Sequence, residues 1–176
     1  MPRDDLRYCP RCAGALAWRA FEYGDITHPA CVACGFVLWQ NPKPTVEALI
    51  VREAEGGRSE VLLGHQPGFA PDEGWDAPGG YLNMSDTLSA AVVRECKREL
   101  DVDVAVDELL GAFEDTHLGL PIITLVYACR IVAGEPRAAD LVDDARWFAL
   151  DDLPGIAYPS IARALALLRR RTSAFA

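Results

Sequence analysis

The sequence predicts a layered α/β domain preceded by a small cysteine-rich unit, and three observations lead to this prediction. Two Cys-X-X-Cys pairs lie within the first 40 residues. Short apolar, β-branched segments follow, separated by Gly- and Pro-rich turns, as the strands of a sheet usually are. Two amphipathic segments, far apart along the chain, carry apolar residues at helical spacing. Strands mixed with two separated helices are typical of a sheet covered by helices, so we expect an α/β/α sandwich.

Composition and charge limit the classes of protein to be considered. The chain has 176 residues, of which 51% are hydrophobic and 24% are charged, as in an ordinary globular protein. No apolar run approaches the roughly 18 residues of a membrane span, and the polar start lacks a signal-peptide core, so we expect a cytoplasmic protein without a membrane partner. The net charge of −9 argues against nucleic acid as a partner. A nucleotide remains compatible, because a divalent cation can screen carboxylates from a diphosphate.

The cysteine pairs predict a zinc ribbon over residues 1–40. The four thiols are Cys9 with Cys12, and Cys31 with Cys34, and 18 residues separate the two pairs. Two residues between thiols let one tight turn point both sulfurs at one ion, and the second pair completes a tetrahedron. Four thiolates leave no open position, so the zinc would be structural. Disulfides are the alternative, which a reducing cytoplasm disfavours. We expect Gly14 and Gly35 to supply the unusual backbone angles of the two turns.

Residues 41–176 are predicted to form the α/β domain, after a connector at residues 40–44 that two prolines stiffen. Apolar and β-branched composition predicts strands over residues 45–51, 60–63, 109–113, 122–132 and 144–148. Apolar residues at helical spacing predict a first helix that is capped by Ser85 or Asp86 and ends near Leu100. The same spacing predicts a closing helix over residues 160–171.

Residues 79–102 carry the most informative motif of the chain, GGYLNMSDTLSAAVVRECKRELDV. This segment resembles the signature of the Nudix hydrolases, G-x5-E-x7-R-E-U-x-E-E-x-G-U, in which U is a bulky aliphatic residue. Gly80 matches the first glycine, Arg94 and Glu95 match the Arg-Glu pair, and Glu99 matches the last glutamate. With the preceding zinc ribbon, the architecture resembles NADH-pyrophosphatase-like and ADP-ribose-pyrophosphatase-like members of the family.

The resemblance implies both a fold and a reaction. The fold would be an α/β/α sandwich with a mixed sheet. The reaction would be hydrolysis, dependent on Mg²⁺ or Mn²⁺, of the diphosphate linkage of a nucleoside diphosphate joined to another moiety. Glu95 and Glu99 would be metal ligands or candidates for the general base, and the carbonyl of Gly79 would be a further ligand. Gly79 and Gly80 would let the chain approach the phosphates. An ADP-ribose-like compound or a dinucleotide is the expected substrate, although the sequence array that marks NADH pyrophosphatases is absent.

Three positions depart from the signature: Asp86 and Asp101 replace a glutamate and a glycine, and Arg98 replaces a metal-binding glutamate. Asp86 can either pair with Arg94, which would then hold Glu95 in place, or simply cap the helix. Arg98 has three alternatives. It can bridge the two glutamates and occupy the metal site, clamp a substrate phosphate, or turn to solvent. Each alternative predicts fewer bound metal ions than an intact signature would hold.

Further candidate substrate contacts lie outside the motif. Glu114 and Asp115 follow a predicted strand and can add a carboxylate from a loop, or form an exposed acidic turn. Glu47 interrupts a strand that should be buried, so it can face the substrate cleft, or lie in solvent at a strand end. Phe69 and Tyr81 can stack on a base. His117 can contact phosphate, although a lone loop histidine usually does not.

Two other functions compete with the enzyme. The first is a nucleotide-binding or nucleotide-sugar-binding module whose catalysis Arg98 has weakened. The second places the function in the ribbon, as a protein-docking element. The expected partner of the enzyme, and of the binding module, is a small-molecule nucleotide. Homodimers are common in the resembled family.

Overall fold

The computed structural model describes residues 6–21 and 26–173 of the chain. The chain divides into two compact units, residues 1–42 and 43–176, and each unit is described by itself. None of the helices in the described part of the chain is long and apolar enough to cross a lipid bilayer.

The first unit is built on a two-stranded antiparallel sheet, which the sequence did not predict. Strand β1 (Leu16–Ala20) pairs with β2 (Thr27–Cys31), and Leu16 lies opposite Cys31. The five residues of β1, LAWRA, are too few to show a strand pattern, and pairing with β2 organises them. The second cysteine pair therefore begins at the end of a strand, which fixes the position of Cys31.

The described residues of the second unit, 43–173, form a mixed sheet of seven strands together with two helices. Its strands are β3 (Lys43–Glu53), β4 (Ser59–His65), β5 (Trp75–Asp76), β6 (Gly79–Tyr81), β7 (Asp103–His117), β8 (Leu120–Ala133) and β9 (Asp144–Ala149). The central order is β5-β4-β3-β8-β7, with β6 also paired to β3 and β9 to β4. The β3–β8 pair is parallel and the others are antiparallel. The predicted strands at 45–51, 60–63, 122–132 and 144–148 are therefore confirmed.

Two helices cover opposite faces of this sheet, α1 (Leu88–Leu100) and α2 (Pro159–Ser173). Each face has its own hydrophobic core. The core beneath α2 includes Leu49, Val61, Leu63, Trp75, Val126, Ile161 and Leu165. The core beneath α1 includes Val46, Ile50, Leu62, Val92, Cys96 and Cys129. Because neighbouring residues of β3 alternate between the two cores, the strand is buried on both faces and the predicted α/β/α sandwich is confirmed.

Helix α1 begins one or two residues later than predicted. Its N-cap is Thr87, whose hydroxyl accepts a hydrogen bond from the Ala90 backbone N–H over 3.3 Å. The prediction of Ser85 or Asp86 as the cap is wrong, because the Asp86 carboxylate has other partners. The helix ends at Asp101, which has a left-handed φ of 53°. Aspartate is one of the few non-glycine residues that tolerates this conformation, which explains how it replaces the second glycine of the motif.

Strand β7 is longer than predicted and contains both acidic candidates. It spans 15 residues, so Glu114 and Asp115 lie inside the strand, opposite Ile123 and Ile122 of β8, rather than in a loop. The expectation of a loop after residue 113 is wrong. The reason is that β7 is the last strand of the central order, and one face of an edge strand tolerates charged residues. The turn to β8 follows at Leu118 and Gly119, both with positive φ.

Candidate active site

The loop between β6 and α1 is braced by an arginine that joins two carboxylates. Arg94 Nη1 donates to Asp86 Oδ2 over 2.7 Å, and its Nε and Nη2 donate to Glu95 Oε1 over 3.1 and 2.9 Å. Asp86 Oδ2 also accepts from the Asn83 backbone N–H at 2.7 Å. That backbone bond, followed by Arg94, lowers the pKa of Asp86 below its ordinary value. Of the two alternatives for Asp86, the structure therefore has the brace.

The paired glycines allow the chain to pass between two glutamates. A Cβ atom on Gly79 would lie 1.7 Å from Glu47 Oε2 and 2.3 Å from the Val46 carbonyl oxygen. A Cβ atom on Gly80 would lie 3.1 Å from the carboxyl carbon of Glu95. Strand β6 holds the glycines in this place by pairing with β3. A side chain is sterically excluded at the first glycine and crowded at the second.

Four carboxylates line one cavity of about 370 Å³ in the second unit: Glu47, Asp76, Glu95 and Glu99. Burial is the main cause that raises the pKa of Glu47 well above its ordinary value, and the charges of the other three add to it. Burial likewise raises the pKa of Asp76 to about 8 and that of Glu99 to about 7. The Gly79 backbone N–H donates to Glu99 Oε2 over 3.1 Å. This clustering of oxygens in a poorly solvated cavity favours a bound cation.

Arg98 occupies the space between the two glutamates of α1. Its Nη2 lies 2.5 Å from Glu95 Oε2 and 2.7 Å from Glu99 Oε1, and its Nε donates to Glu95 Oε2 over 2.8 Å. Its Nη1 donates to Asp140. The first of the three alternatives for Arg98, a bridge between the glutamates, is therefore the one found. Two carboxylates converge on one positive group here, so their oxygens are placed to contact a single divalent cation, and the donor set fits Mg²⁺ or Mn²⁺.

Aromatic and polar side chains line another part of the same cavity. His117 Nδ1 lies 2.8 Å from the Tyr158 hydroxyl, and its ring is 5.9 Å from the ring centroids of both Tyr158 and Tyr81. Gln66 Nε2 donates to Asp76 Oδ2 over 3.0 Å. All of these residues line the cavity. The sequence pointed to Tyr81 and His117, but it did not single out Tyr158, Gln66 or Asp76.

Three of the predicted substrate contacts lie elsewhere. Phe69 covers Gly74, where an added Cβ would lie 2.3 Å from the Phe69 ring, and it does not line the cavity. Asp115 Oδ2 accepts from the Ser160 backbone N–H at the start of α2 over 2.8 Å. The Glu114 carbonyl accepts from Arg163 of the same helix. Asp115 and the backbone of Glu114 thus attach β7 to α2, and the Asp115 carboxylate serves as acceptor for one of the first N–H groups of the helix.

The four cysteines of the first unit form one compact group. Their Sγ atoms all lie within 4.8 Å of one another, with 3.8 Å between Cys9 and Cys34 and 3.5 Å between Cys12 and Cys31. A tetrahedral zinc site with Zn–S bonds of about 2.3 Å has sulfurs roughly 3.8 Å apart, so the four thiols fit zinc.

The two turns that carry these cysteines differ in one respect from the prediction. Gly35 has the expected positive φ, of 72°, but in the other turn Ala13 adopts it, at 58°, instead of Gly14. Gly14 is needed for a different reason, because a Cβ there would lie 3.1 Å from Cys31 Sγ.

The second unit has a mixed sheet between two helices, and its strand–loop–helix motif brings glycines and glutamates to one cavity. These features define it as a Nudix-type domain. The NUDIX domain model matches residues 42–168, and the chain therefore belongs to the Nudix family. A solved Nudix hydrolase from Nitrosomonas europaea superposes with a TM-score of 0.74 at 24% identity, over 96% of this chain and 91% of that one. At this identity the likeness concerns the fold alone.

Two of the curated relatives illustrate the similarity. A protein named NAD-capped RNA hydrolase NudC from Chromobacterium violaceum is 34% identical over 161 residues, which are 90% of this chain and 56% of that protein. An ADP-ribose pyrophosphatase from Methanocaldococcus jannaschii is 34% identical over 123 residues, which are 69% of this chain and 70% of that protein. The chain thus spans about half the length of the NudC relatives that it matches.

Proposed function

We propose that this protein hydrolyses the diphosphate linkage of a nucleoside diphosphate joined to a second moiety, with Mg²⁺ or Mn²⁺ bound at Glu95 and Glu99. The observation that carries the proposal is the convergence of these two buried carboxylates on one cationic group, beside a glycine pair and inside a cavity. The names of the relatives support it, since NAD-capped RNA and ADP-ribose both contain a nucleoside diphosphate.

Each residue of the motif has a defined part in this proposal. The metal ion would polarise a phosphoryl oxygen and activate water. Arg94, held by Asp86, orients Glu95 towards the ion, and the Gly79 N–H fixes one oxygen of Glu99. The Gly79 carbonyl is a further candidate ligand. Because Gly79 and Gly80 lack side chains, a diphosphate can reach these groups.

The rings at the other part of the cavity favour a substrate with a nucleobase. Tyr81, His117 and Tyr158 offer flat apolar faces together with a hydroxyl and a ring nitrogen. Aromatic side chains stack on bases, with a contribution of about 1–3 kcal/mol for each stacked base. Glu47 lies beside Gly79 and is a candidate to face the substrate. An ADP-ribose-like compound or a dinucleotide combines such a base with a diphosphate, and these are the substrates we propose.

The experiment is a hydrolysis panel of ADP-ribose, NAD⁺, NADH and UDP-glucose with Mg²⁺ or Mn²⁺. We expect turnover of at least one adenine-containing compound and loss of that turnover in Glu99→Gln. Glu55→Gln is the matched control, because Glu55 is exposed in the β3–β4 turn and does not line the cavity. Absence of turnover on every compound, with or without Arg98→Glu, would contradict the proposal.

A second candidate function is a nucleotide-binding or nucleotide-sugar-binding module with weakened catalysis, and the ribbon as a protein-docking element. The observation that favours it is that Arg98 forms an ion pair with one oxygen of Glu95 and one oxygen of Glu99. The same panel separates the two, since the module binds the nucleotides without hydrolysing them. Turnover that Glu99→Gln abolishes would contradict the binding module.

For the first unit we propose a structural zinc ion held by the four cysteines, and a ribbon that covers residues 1–40, followed by the Nudix domain over 41–176. Reduced thiols that hold zinc suit a cytoplasmic protein, the location that we propose. A homodimer is the proposed assembly.

A further inference from the structure

Asp140, outside the recognised motif, is the third carboxylate in contact with Arg98. It lies in the segment between β8 and β9 and has a left-handed φ of 46°. Backbone hydrogen bonds fix this segment against the end of α1. The Ala139 N–H donates to the Glu99 carbonyl over 2.9 Å, and the Arg137 N–H donates to the Leu100 carbonyl over 3.1 Å. The backbone therefore places Asp140 beside Arg98.

The three partners of Arg98 differ in burial. The side chains of Glu95 and Glu99 are 6% and 10% exposed, whereas that of Asp140 is 45% exposed. Two buried carboxylates one helical turn apart repel each other, so they require a positive charge nearby. Arg98 supplies this charge. Asp140 is the partner of Arg98 that is not needed to hold a metal ion.

A divalent cation at Glu95 and Glu99 must take the oxygens that Arg98 now contacts. Moving the Arg98 guanidinium away from Glu95 and Glu99 breaks two ion pairs of a side chain that is 35% exposed, and without another partner its charge would be left uncompensated beside the cavity. With Asp140 in contact, Arg98 keeps one charged partner after the exchange. The ease of metal binding then depends on a residue that does not touch the metal.

We propose that Arg98 is a resident cation which a divalent metal ion displaces, and that Asp140 is the positioning residue that receives it. This inference rests on the proposed function, because it assumes a metal ion at Glu95 and Glu99. Asp140 lowers the cost of metal binding only through Arg98. The segment that carries it also contributes Leu141 and Val142 to the cavity wall, so the exchange takes place at the edge of the substrate space.

A double-mutant cycle on Mn²⁺ binding tests the inference without any turnover. Free Mn²⁺ is measured by electron paramagnetic resonance for the unchanged protein, Arg98→Met, Asp140→Asn and the double variant. Arg98→Met should bind Mn²⁺ about tenfold more tightly, because the competitor is gone. Asp140→Asn should weaken binding about fivefold, because the displaced Arg98 loses its partner. In the Arg98→Met background, Asp140→Asn should change the affinity less than about twofold.

The exposed pair of Arg130 and Asp107, which does not line the cavity, offers a matched cycle of Arg130→Met and Asp107→Asn. These variants should leave Mn²⁺ affinity unchanged. Equal weakening by Asp140→Asn in both backgrounds would show that Asp140 acts directly on the metal, and would overturn this inference alone. A lack of Mn²⁺ binding in all four proteins would overturn it together with the proposed metal site. Melting temperatures measured without added Mn²⁺ and without chelator verify that every variant is folded.

Discussion

Arg94 Nη1 lies 2.7 Å from Asp86 Oδ2, and this ion pair crosses from the loop after β6 to the middle of α1. The same guanidinium holds Glu95, so the loop and a candidate metal ligand are oriented together. The aspartate is one methylene shorter than the glutamate of the Nudix signature. The Asn83 N–H donates to the same Asp86 oxygen over 2.7 Å, so the loop backbone and Arg94 share one acceptor.

We predict that Asp86→Asn lowers kcat by about 10- to 100-fold with little change in melting temperature. Residues that orient a ligand typically have effects of this size. The introduced side-chain amide can still accept the hydrogen bond from the Asn83 backbone N–H, but it lacks the negative charge that holds Arg94. Steady-state kinetics on the substrate found in the panel measures the effect. Asp107→Asn, at an exposed Arg pair outside the cavity, is the control. An unchanged kcat in Asp86→Asn would mean that Asp86 only shapes the loop.

A graded effect is expected at the two glycines. Gly79→Ala should destabilise the protein by about 3 kcal/mol, because the new methyl group meets the Val46 carbonyl and the Glu47 carboxylate. Gly80→Ala should cost about 1 kcal/mol or less, because Glu95 lies 3.1 Å away and its carboxylate can shift. Urea unfolding measures both. The more informative result is which variant is less stable. Equal free energies of unfolding for the two variants would contradict the close passage of β6 along β3.

Sequence reasoning found the elements whose patterns are local. Strand 45–51 and the α1 segment were predicted because apolar spacing or composition marks them without reference to any partner. Strands β1, β5 and β6 escaped, since they are short, contain polar or glycine residues, and exist through pairing with a neighbour. The N-cap was misplaced because several hydroxyl and carboxyl residues precede the helix, and only the Arg94 contact shows which of them is already engaged.

The candidate site divides in the same way. The motif predicted Glu95, Glu99 and the Asp86–Arg94 pair. It could not predict Asp76 or Asp140, because each reaches the site from a strand end or a connection distant in sequence. Asp76 had one weak signal, a carboxylate directly after a buried tryptophan and shortly before the glycine pair. The sequence alone left three alternatives open for Arg98. The structure decides among them, because it shows the contacts of Arg98 with Glu95, Glu99 and Asp140.

The buried histidine His65 should make stability depend on pH. Its Nδ1 lies 2.6 Å from Asp143 Oδ1 and its Nε2 lies 3.0 Å from the Ala70 carbonyl oxygen. The bond to Asp143, then that to Ala70, raises the pKa of His65 above the ordinary 6.5. The protonated ring donates to both acceptors. The stabilisation is therefore fully present below pH 6.5 and is lost as the pH rises through the higher value in the folded protein.

We predict that the stability advantage of the unchanged protein over Asp143→Asn shrinks as the pH is raised from 6 to 9. Urea unfolding at intervals of pH measures the difference in free energy of unfolding. Asp151→Asn is the matched control, because Asp151 pairs with the exposed Arg58 and no histidine is involved. Its difference from the unchanged protein should stay constant. A constant difference for Asp143→Asn as well would show that His65 is not the titrating group.

Removal of zinc should unfold the first unit and leave the second folded. The four thiols lie within 4.8 Å of one another, so a bound cation would join the two turns that carry them. Without the cation, the regular structure of the unit's described residues is a single two-stranded sheet. An isolated two-stranded sheet is marginally stable in water. A chelator or Cys12→Ser should therefore collapse the backbone amide dispersion of residues 6–21 and 26–42, as seen by NMR. The signals of the second unit should persist, because its two hydrophobic cores contain no thiolate ligand.

Cys129→Ser is the comparison variant, since that buried thiol lies in the core beneath α1. It should destabilise the second unit and leave the first unit's signals and its zinc content unchanged. One zinc ion per chain in the purified protein, lost in Cys12→Ser, is the expected stoichiometry; a dispersed ribbon spectrum in excess chelator would contradict the zinc assignment.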